Sequence, residues 1–201
     1  MKETKRLKPF IRHNLDILFL PLNPSEKSEN DGHYFSQNKI FWNQLYNSGL
    51  ITKKININNT PILSDVEIFK KNSFNYNNFN YGIKDLVPDI VSGNSKEVRS
   101  FLINNEEKAE LYCSNFKNDI LKYNPKVVIM MHRFVADFFY KKYLKNQKVK
   151  MNQGFLGRPL IEHNCKTNFF IVPFPSSMHQ YDSSVAVNIF KQVKHSLETL
   201  S

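Results

Sequence analysis

Two short segments at opposite ends of the chain carry the side chains best suited to chemistry. They are Pro21-Leu22-Asn23-Pro24-Ser25 and Pro173-Phe174-Pro175-Ser176-Ser177-Met178-His179-Gln180. Each combines prolines, which stiffen the backbone, with serine hydroxyls, which can cap a helix or bind a phosphate. Asparagine before proline is also a common turn former, so both a structural and a chemical role are open for Asn23. No compact His, Asp and Glu motif accompanies these segments, so the sequence points to a reaction without metal or other cofactor.

The elements that must position these segments are short apolar runs separated by helical patterns. Residues 15–22, 126–131 and 169–172 are each typical of a buried parallel strand. Helical spacing of apolar residues predicts helices over 41–46, 106–123, 133–144 and 183–197. This alternation predicts an α/β fold with three α/β/α layers and a central, mostly parallel sheet. Ligands bind beyond the carboxyl ends of such strands, so the two segments should share one sheet edge.

The chain shows no internal repeat and no flexible linker, which predicts a single domain. We assign residues 14–201 to that domain and residues 1–13 to a basic N-terminal arm. The asparagine-rich stretch 56–80 is too polar for a strand and too poor in helix formers for a helix, so it is predicted to be an ordered surface loop. Pro125 is expected to end the helix that precedes it.

Composition restricts the class of partner. The 201 residues include 28 Lys and Arg against 18 Asp and Glu, a formal charge of +10. Such a balance favours a polyanion partner, although a bias toward Lys, Asn and Ile also follows from an AT-rich genome. The two cysteines, Cys113 and Cys165, form no Cys-x-x-Cys pair, which excludes a thiolate zinc site and a four-cysteine iron–sulfur cluster.

The sequence contains no signal for a membrane or for secretion. Its longest apolar run is far shorter than the roughly 20 residues that span a bilayer. The basic N-terminus is not followed by the apolar region of a signal peptide. We therefore expect a cytoplasmic protein without a membrane partner.

Four motifs in order along the chain resemble the uracil-DNA glycosylase superfamily, most closely its mismatch-specific thymine/uracil branch. The resemblance spans roughly residues 15–197 and also includes the stretch Tyr81-Gly82-Ile83-Lys84-Asp85-Leu86-Val87. The motifs are Asn23-Pro24 after an apolar strand, Gly32-His33-Tyr34-Phe35, Phe41-Trp42 followed by Ser48-Gly49-Leu50, and Pro175-Ser176-Ser177.

This resemblance implies a monofunctional DNA glycosylase that acts as a monomer on double-stranded DNA. Such an enzyme takes a damaged or mismatched base out of the stack and hydrolyses its N-glycosidic bond. Uracil, thymine opposite guanine, hypoxanthine and etheno adducts all remain possible substrates. The resemblance implies no cofactor.

The resemblance also implies a role for each candidate residue. Asn23 positions the attacking water. Phe35 stacks on the flipped base, with Leu22, His33 and Phe174 completing the base-binding site. Met178 is the wedge that fills the gap left in the helix. The remaining DNA-contacting residues are Ser25, Ser176, Ser177 and His179.

Several positions depart from the family pattern. Pro21 and Ser25 replace the usual flanking glycines, Lys39 stands where an asparagine is expected, and Phe174 precedes the Pro-Ser pair. These departures leave open a catalytically silent DNA-binding relative. An unrelated α/β hydrolase or nucleotide-binding enzyme is a third hypothesis, although the sequence lacks the Gly-rich phosphate-binding motifs and Gly-x-Ser-x-Gly.

Overall fold

A five-stranded sheet forms the centre of the molecule. The computed structural model describes residues 7–56, 65–143, 154–158, 165–175 and 182–200. The strands lie in the order β2-β1-β3-β5-β4; β4 is antiparallel to β5 and the other pairs are parallel. The strands are β1 (Ile17–Leu20), β2 (Tyr81–Ile83), β3 (Val127–Met130), β4 (Phe155–Gly157) and β5 (Asn168–Ile171).

Helices cover both faces of this sheet. The α-helices are α1 (Glu26–Asp31), α2 (Lys39–Ser48), α3 (Ser95–Asn104), α4 (Glu106–Tyr123), α5 (Arg133–Tyr143) and α6 (Ser183–Leu200). The four helices predicted from apolar spacing are confirmed as α2, α4, α5 and α6. Helix α4 ends at Asn124, whose φ of 46° is left-handed, directly before Pro125 as predicted. None of the helices in the described part of the chain is long and apolar enough to cross a membrane.

Alternate side chains of β1 enter two different cores. Leu18 and Leu20 pack with residues of α3, α4 and α5, whereas Ile17 and Phe19 pack with residues of α2 and α6. All four side chains are fully buried, which explains why the sequence of β1 is continuously apolar rather than alternating. The predicted three-layer α/β/α fold is confirmed.

The asparagine-rich stretch contains more structure than the predicted loop. Its described part forms a π-helical turn (Asp65–Lys70) and a 3₁₀ turn (Tyr76–Asn78). The side chain of Asn75 is buried and its Nδ2 donates to the carbonyls of Ile68 and Phe79 at 2.8 and 2.7 Å. Side-chain amides therefore satisfy backbone groups that a longer helix or strand would satisfy by itself.

The edge of β2 is paired with the N-terminal segment. Phe10 and Ile83 exchange two backbone hydrogen bonds, both 2.9 Å long. Gly82, the residue before Ile83 in β2, leaves no room for a side chain: a Cβ there would lie 2.6 Å from the carbonyl oxygen of Phe10 and 2.6 Å from Leu15 Cδ1. The glycine therefore allows the chain before β1 to pack closely against β2.

We predict that Gly82→Ala lowers the free energy of unfolding by about 1–3 kcal/mol, because the added methyl forces the Phe10 backbone away from β2. Urea unfolding measures the change. Gly93→Ala is the matched control, because a Cβ at Gly93 would meet no atom within 4 Å. Equal stability of the two variants would contradict the close packing described for Gly82.

Candidate active site

A cavity of about 480 Å³ lies at the carboxyl end of the parallel strands. Its walls come from the loop after β1, the residues between α1 and α2, Asp85 after β2, and Phe174 and Pro175 after β5. Parallel strands bring their carboxyl ends to one edge, so segments up to about 150 residues apart in sequence meet there.

The loops that follow β1 and β2 are joined by backbone hydrogen bonds. Leu86 N donates to Pro21 O at 3.0 Å and Val87 N donates to Leu22 O at 2.8 Å. These bonds extend the parallel pairing beyond the end of β1. They fix Asp85 beside the segment that carries Asn23.

The carboxamide of Asn23 is held by its nitrogen. Nδ2 donates to the carbonyl oxygens of Pro24, Ile90 and Ser92 at 2.9, 3.2 and 2.9 Å. Three acceptors around one end of the amide identify that end as the NH₂ group. The hydrogen bonds that Asn23 makes to described residues use this nitrogen alone, so Oδ1 is left as an acceptor on a residue that lines the cavity.

Phe35 forms part of an aromatic wall. Its ring stacks on Phe41 with centroids 4.0 Å apart, and Phe174 lies 6.1 Å away on a tilted plane. The backbone of Phe35 has a φ of 52°, a left-handed value that is strained for an aromatic residue. Trp42 Nε1 donates to the Phe35 carbonyl at 3.0 Å and so helps to hold this conformation.

A buried carboxylate anchors the loop before Phe35. Asp65 Oδ2 accepts a hydrogen bond from Tyr34 N at 3.1 Å and lies 3.3 Å from His33 Nδ1. Burial raises the pKa of Asp65 to about 6, although these two partners act in the opposite direction. His33 therefore faces Asp65 and is not among the residues that line the cavity.

Asn38 connects two walls of the cavity. Its Oδ1 accepts from Phe41 N at 3.0 Å and caps α2, while its Nδ2 donates to Pro175 O at 2.7 Å. Sequence reasoning missed this residue because it considered the neighbouring Lys39. A signal was present, since asparagine is a favoured N-cap residue and Asn38 directly precedes the first residue of α2.

Asp85 is the most unusual group in the cavity wall. Its side chain is buried, with 3% of the residue exposed, and its Oδ2 has no hydrogen-bond partner. Burial raises the pKa of Asp85 to about 7, and the nearby Glu29 acts in the same direction. A hydrogen bond from Tyr34 and the charge of Lys84 lower the pKa but do not offset burial.

The structure brings together four of the residues proposed from the sequence and separates two others. Asn23, Ser25, Phe35 and Phe174 line the cavity. Ser25 Oγ also caps α1 by accepting from Ser28 N at 3.2 Å. Leu22 does not line the cavity, because its side chain packs in the core on the α3–α5 side of the sheet. Four further candidates lie outside the described residues: Ser176, Ser177, Met178 and His179.

Residues 7–56, 65–143, 154–158, 165–175 and 182–200 contain no group of three or more His, Cys, Asp and Glu side chains placed to hold a metal ion. Apart from the exposed Lys27 and Lys39, the polar side chains that line the cavity carry amides, hydroxyls and a carboxyl. They are suited to hydrogen-bond a polar, uncharged molecule and to orient water.

We predict that the free energy of unfolding of Asp85→Asn, relative to that of the parent, increases with pH. The pKa of Asp85 is higher in the folded protein than its ordinary value of 3.8, so the folded state retains a proton that the unfolded state has lost. The contribution of Asp85 to stability therefore falls as pH rises from about 4 to about 7, and stays low above that range. At about pH 8 the free energy of unfolding of the variant should exceed that of the parent by on the order of 1 kcal/mol or more.

Chemical unfolding across this pH range measures the difference. Asp31→Asn, which removes a charge from the exposed end of α1, is the control for net charge. A difference between Asp85→Asn and the parent that does not change with pH would contradict the shifted pKa.

Comparison with protein families gives one match over nearly the whole chain. The model of the uracil DNA glycosylase superfamily matches residues 9–200. Comparison with curated proteins gives no match.

Proposed function

Because the chain belongs to the uracil-DNA glycosylase superfamily, we propose that it is a monofunctional DNA glycosylase that excises uracil or another deaminated or mismatched base from double-stranded DNA. The family match removes the hypothesis of an unrelated α/β hydrolase or nucleotide-binding enzyme. The superfamily is one of DNA glycosylases in general, so base preference, mechanism and residue roles are parts of the proposal.

The orientation of Asn23 is the observation that carries this proposal. Its amide nitrogen is occupied by three backbone carbonyls, its oxygen has no partner among the described residues, and Asn23 lines the cavity. A carbonyl oxygen in a fixed position can accept a hydrogen bond from a water molecule and thereby aim the water's lone pair at a substrate. An amide is a poor base, so it orients the water but does not deprotonate it.

The reaction must then be driven by departure of the base. The bond between the base nitrogen and C1′ breaks, and its electron pair leaves with the base. The water oxygen bonds to the cationic sugar carbon, and a proton from that water restores the neutral base. The products are a free base and an abasic sugar. Positioning of the water and stabilisation of the departing charge are the contributions available to this cavity.

The aromatic wall supports the binding of a planar base. One face of Phe35 is covered by Phe41, and Phe174 lies at an angle beside it. A base stacked on such a wall gains about 1–3 kcal/mol, which offsets part of the cost of removing it from the duplex.

Positive charge at the mouth of the cavity supports contact with DNA phosphates. Lys27 and Lys39 are exposed and line its rim. We include Ser25, Ser176 and Ser177 as phosphate contacts, Met178 as the wedge, and His179 as a neighbouring contact. The chain is proposed to act as a monomer in the cytoplasm.

A single-turnover cleavage assay with enzyme in excess tests the proposal. The duplexes carry uracil opposite guanine, uracil opposite adenine, thymine opposite guanine, or hypoxanthine opposite thymine, and alkaline strand scission reports the abasic product. Cleavage of at least one duplex is expected. Salt-sensitive binding without any cleavage would contradict the enzymatic proposal and favour the silent relative, with Pro21 and Ser25 as the residues to replace by glycine.

We predict that Asn23→Ala lowers the single-turnover rate roughly 100-fold or more, because the water loses its acceptor. Affinity for a duplex containing an abasic site should change little, which separates loss of catalysis from loss of the loop that Asn23 anchors. Asn118→Ala, at an exposed position on α4, is the control and should cleave at the parent rate. An undiminished rate in Asn23→Ala would remove Asn23 from the mechanism.

A further inference from the structure

We propose that Tyr112, a residue of α4 that does not line the cavity, is a positioning residue for Asn23. It acts through Asp89 and the loop of residues 88–94, whose backbone carbonyls hold the carboxamide of Asn23. This inference rests on the proposed function, because the quantity that Tyr112 is expected to change is the rate at which an oriented water attacks the sugar.

The amide of Asn23 joins two loops. Its Nδ2 donates to Ile90 O at 3.2 Å and to Ser92 O at 2.9 Å, and Ser92 N donates back to Pro24 O at 3.1 Å. Carbonyl oxygens accept only from the NH₂ end of a carboxamide, so they fix which end is turned toward them. The position of Oδ1 therefore depends on the position of loop 88–94.

Loop 88–94 has little support of its own. Most of its residues are exposed, and Ile90 packs partly against the core. The hydrogen bond from Ser92 Oγ to Glu97 Oε2 is 2.9 Å long but exposed, so water competes for both groups. An exposed segment with few buried contacts opens at a low cost in free energy unless a rigid element holds it.

Tyr112 connects this loop to a rigid element. The residue is 7% exposed and belongs to the core that α3, α4 and α5 form against the sheet. Its hydroxyl donates to Asp89 Oδ2 at 3.2 Å in a partly buried position. Because Asp89 directly precedes Ile90, this bond holds the backbone next to a carbonyl that Asn23 contacts.

A loop that moves away would release the carboxamide of Asn23. Without the carbonyls of Ile90 and Ser92, the side chain can rotate, and its NH₂ group can take the place of Oδ1. The water would then meet a donor instead of an acceptor. Misplacement of a reacting group by about 1 Å can slow a reaction on the order of 100-fold. Loss of one anchor opens the loop for only part of the time, so a smaller effect is expected.

Tyr112→Phe is the first test, because it removes the hydroxyl and keeps the ring in the core. With enzyme in excess, its single-turnover cleavage rate should fall about 3- to 10-fold. Its affinity for a duplex containing an abasic site should match the parent, since neither Tyr112 nor Asp89 lines the cavity. Tyr123→Phe is the matched control, because it makes the same change at the end of the same helix, where the ring contacts His13.

Variants of Asp89 test the same hydrogen bond from the other side. Asp89→Asn keeps an oxygen that can accept from the hydroxyl of Tyr112 and should retain most of the parent rate. Asp89→Ala removes the acceptor and should lose as much as Tyr112→Phe. Because Asp89 is exposed, Asp89→Ala decides the question if Tyr112→Phe does not fold.

A double-mutant cycle separates positioning from general damage. In the Asn23→Ala background, Tyr112→Phe should have no further effect on the remaining rate, because the side chain that it positions is missing. A substitution that only weakens the fold would lower the rate by the same factor in both backgrounds.

Hydrogen exchange of the Asn23 side-chain NH₂, followed by NMR, gives a readout that does not depend on catalysis. In the parent the three carbonyls should protect these protons. In Tyr112→Phe they should exchange at least about threefold faster, and in Tyr123→Phe at the parent rate. If this pattern appears while the parent cleaves no duplex, the positioning role holds and the proposed hydrolysis fails.

Three results would overturn the role of Tyr112. The first is parent-like cleavage by Tyr112→Phe when Asn23→Ala has lost it, since the amide would then be held without this anchor. The second is an equal loss from Tyr112→Phe with and without the Asn23 side chain, which indicates a role elsewhere in the protein. The third is unchanged exchange of the Asn23 NH₂ protons in Tyr112→Phe.

Discussion

The pairing of β1 with β2 and β3 is the interaction on which the rest of the structure depends. Three separate parts of the chain end at the same sheet edge because these strands are parallel and in register, with Ile17 opposite both Tyr81 and Val127. The hydrogen bonds from Leu86 and Val87 carry this pairing past the last residue of β1. The amide of Asn23 and the buried carboxyl of Asp85 are therefore positioned by this strand pairing rather than by independent loops.

Three carboxyl groups are buried close to one another in a protein whose overall charge is positive. Glu29, Asp65 and Asp85 are buried near the aromatic loop, and each has one carboxyl oxygen without a hydrogen-bond partner. For Asp65 and Asp85, burial destabilises the charged form and thus the fold at neutral pH. Sites that carry this kind of cost are commonly functional, because a sequence selected for stability alone would replace the carboxyls. The overall charge of +10 favours a polyanion such as DNA as the partner.

Elements with a strong pattern of their own were predictable from the sequence, and elements defined by their neighbours were not. Continuous apolar runs identified β1, β3 and β5, and apolar spacing together with Asn124-Pro125 identified α4. Tyr81–Ile83 was missed as a strand because three residues containing a glycine carry no periodic signal; they form β2 only through pairing with β1. Without β2, nothing in the sequence indicates that Asp85 follows a strand and lies at the same sheet edge as Asn23. Leu22 was misplaced for a related reason, because its position near Asn23 says nothing about which face of the sheet its side chain enters.

The N-terminal segment has two roles: it covers the exposed edge of β2, and it forms part of the cavity wall. Phe10 covers the outer side of β2, an edge that would otherwise present unpaired backbone groups to another chain. Three residues earlier, Leu7 lines the cavity, and its N–H donates to Glu29 Oε2 at 2.9 Å. Detachment of this segment would expose the unpaired backbone edge of β2 to another chain. It would also remove the hydrogen bond to Glu29 and so change the electrostatic environment of the buried carboxyl groups. Proteolytic trimming or a bulky fusion near residue 7 would thus affect solubility and the shape of the cavity together, and the two effects would be difficult to separate.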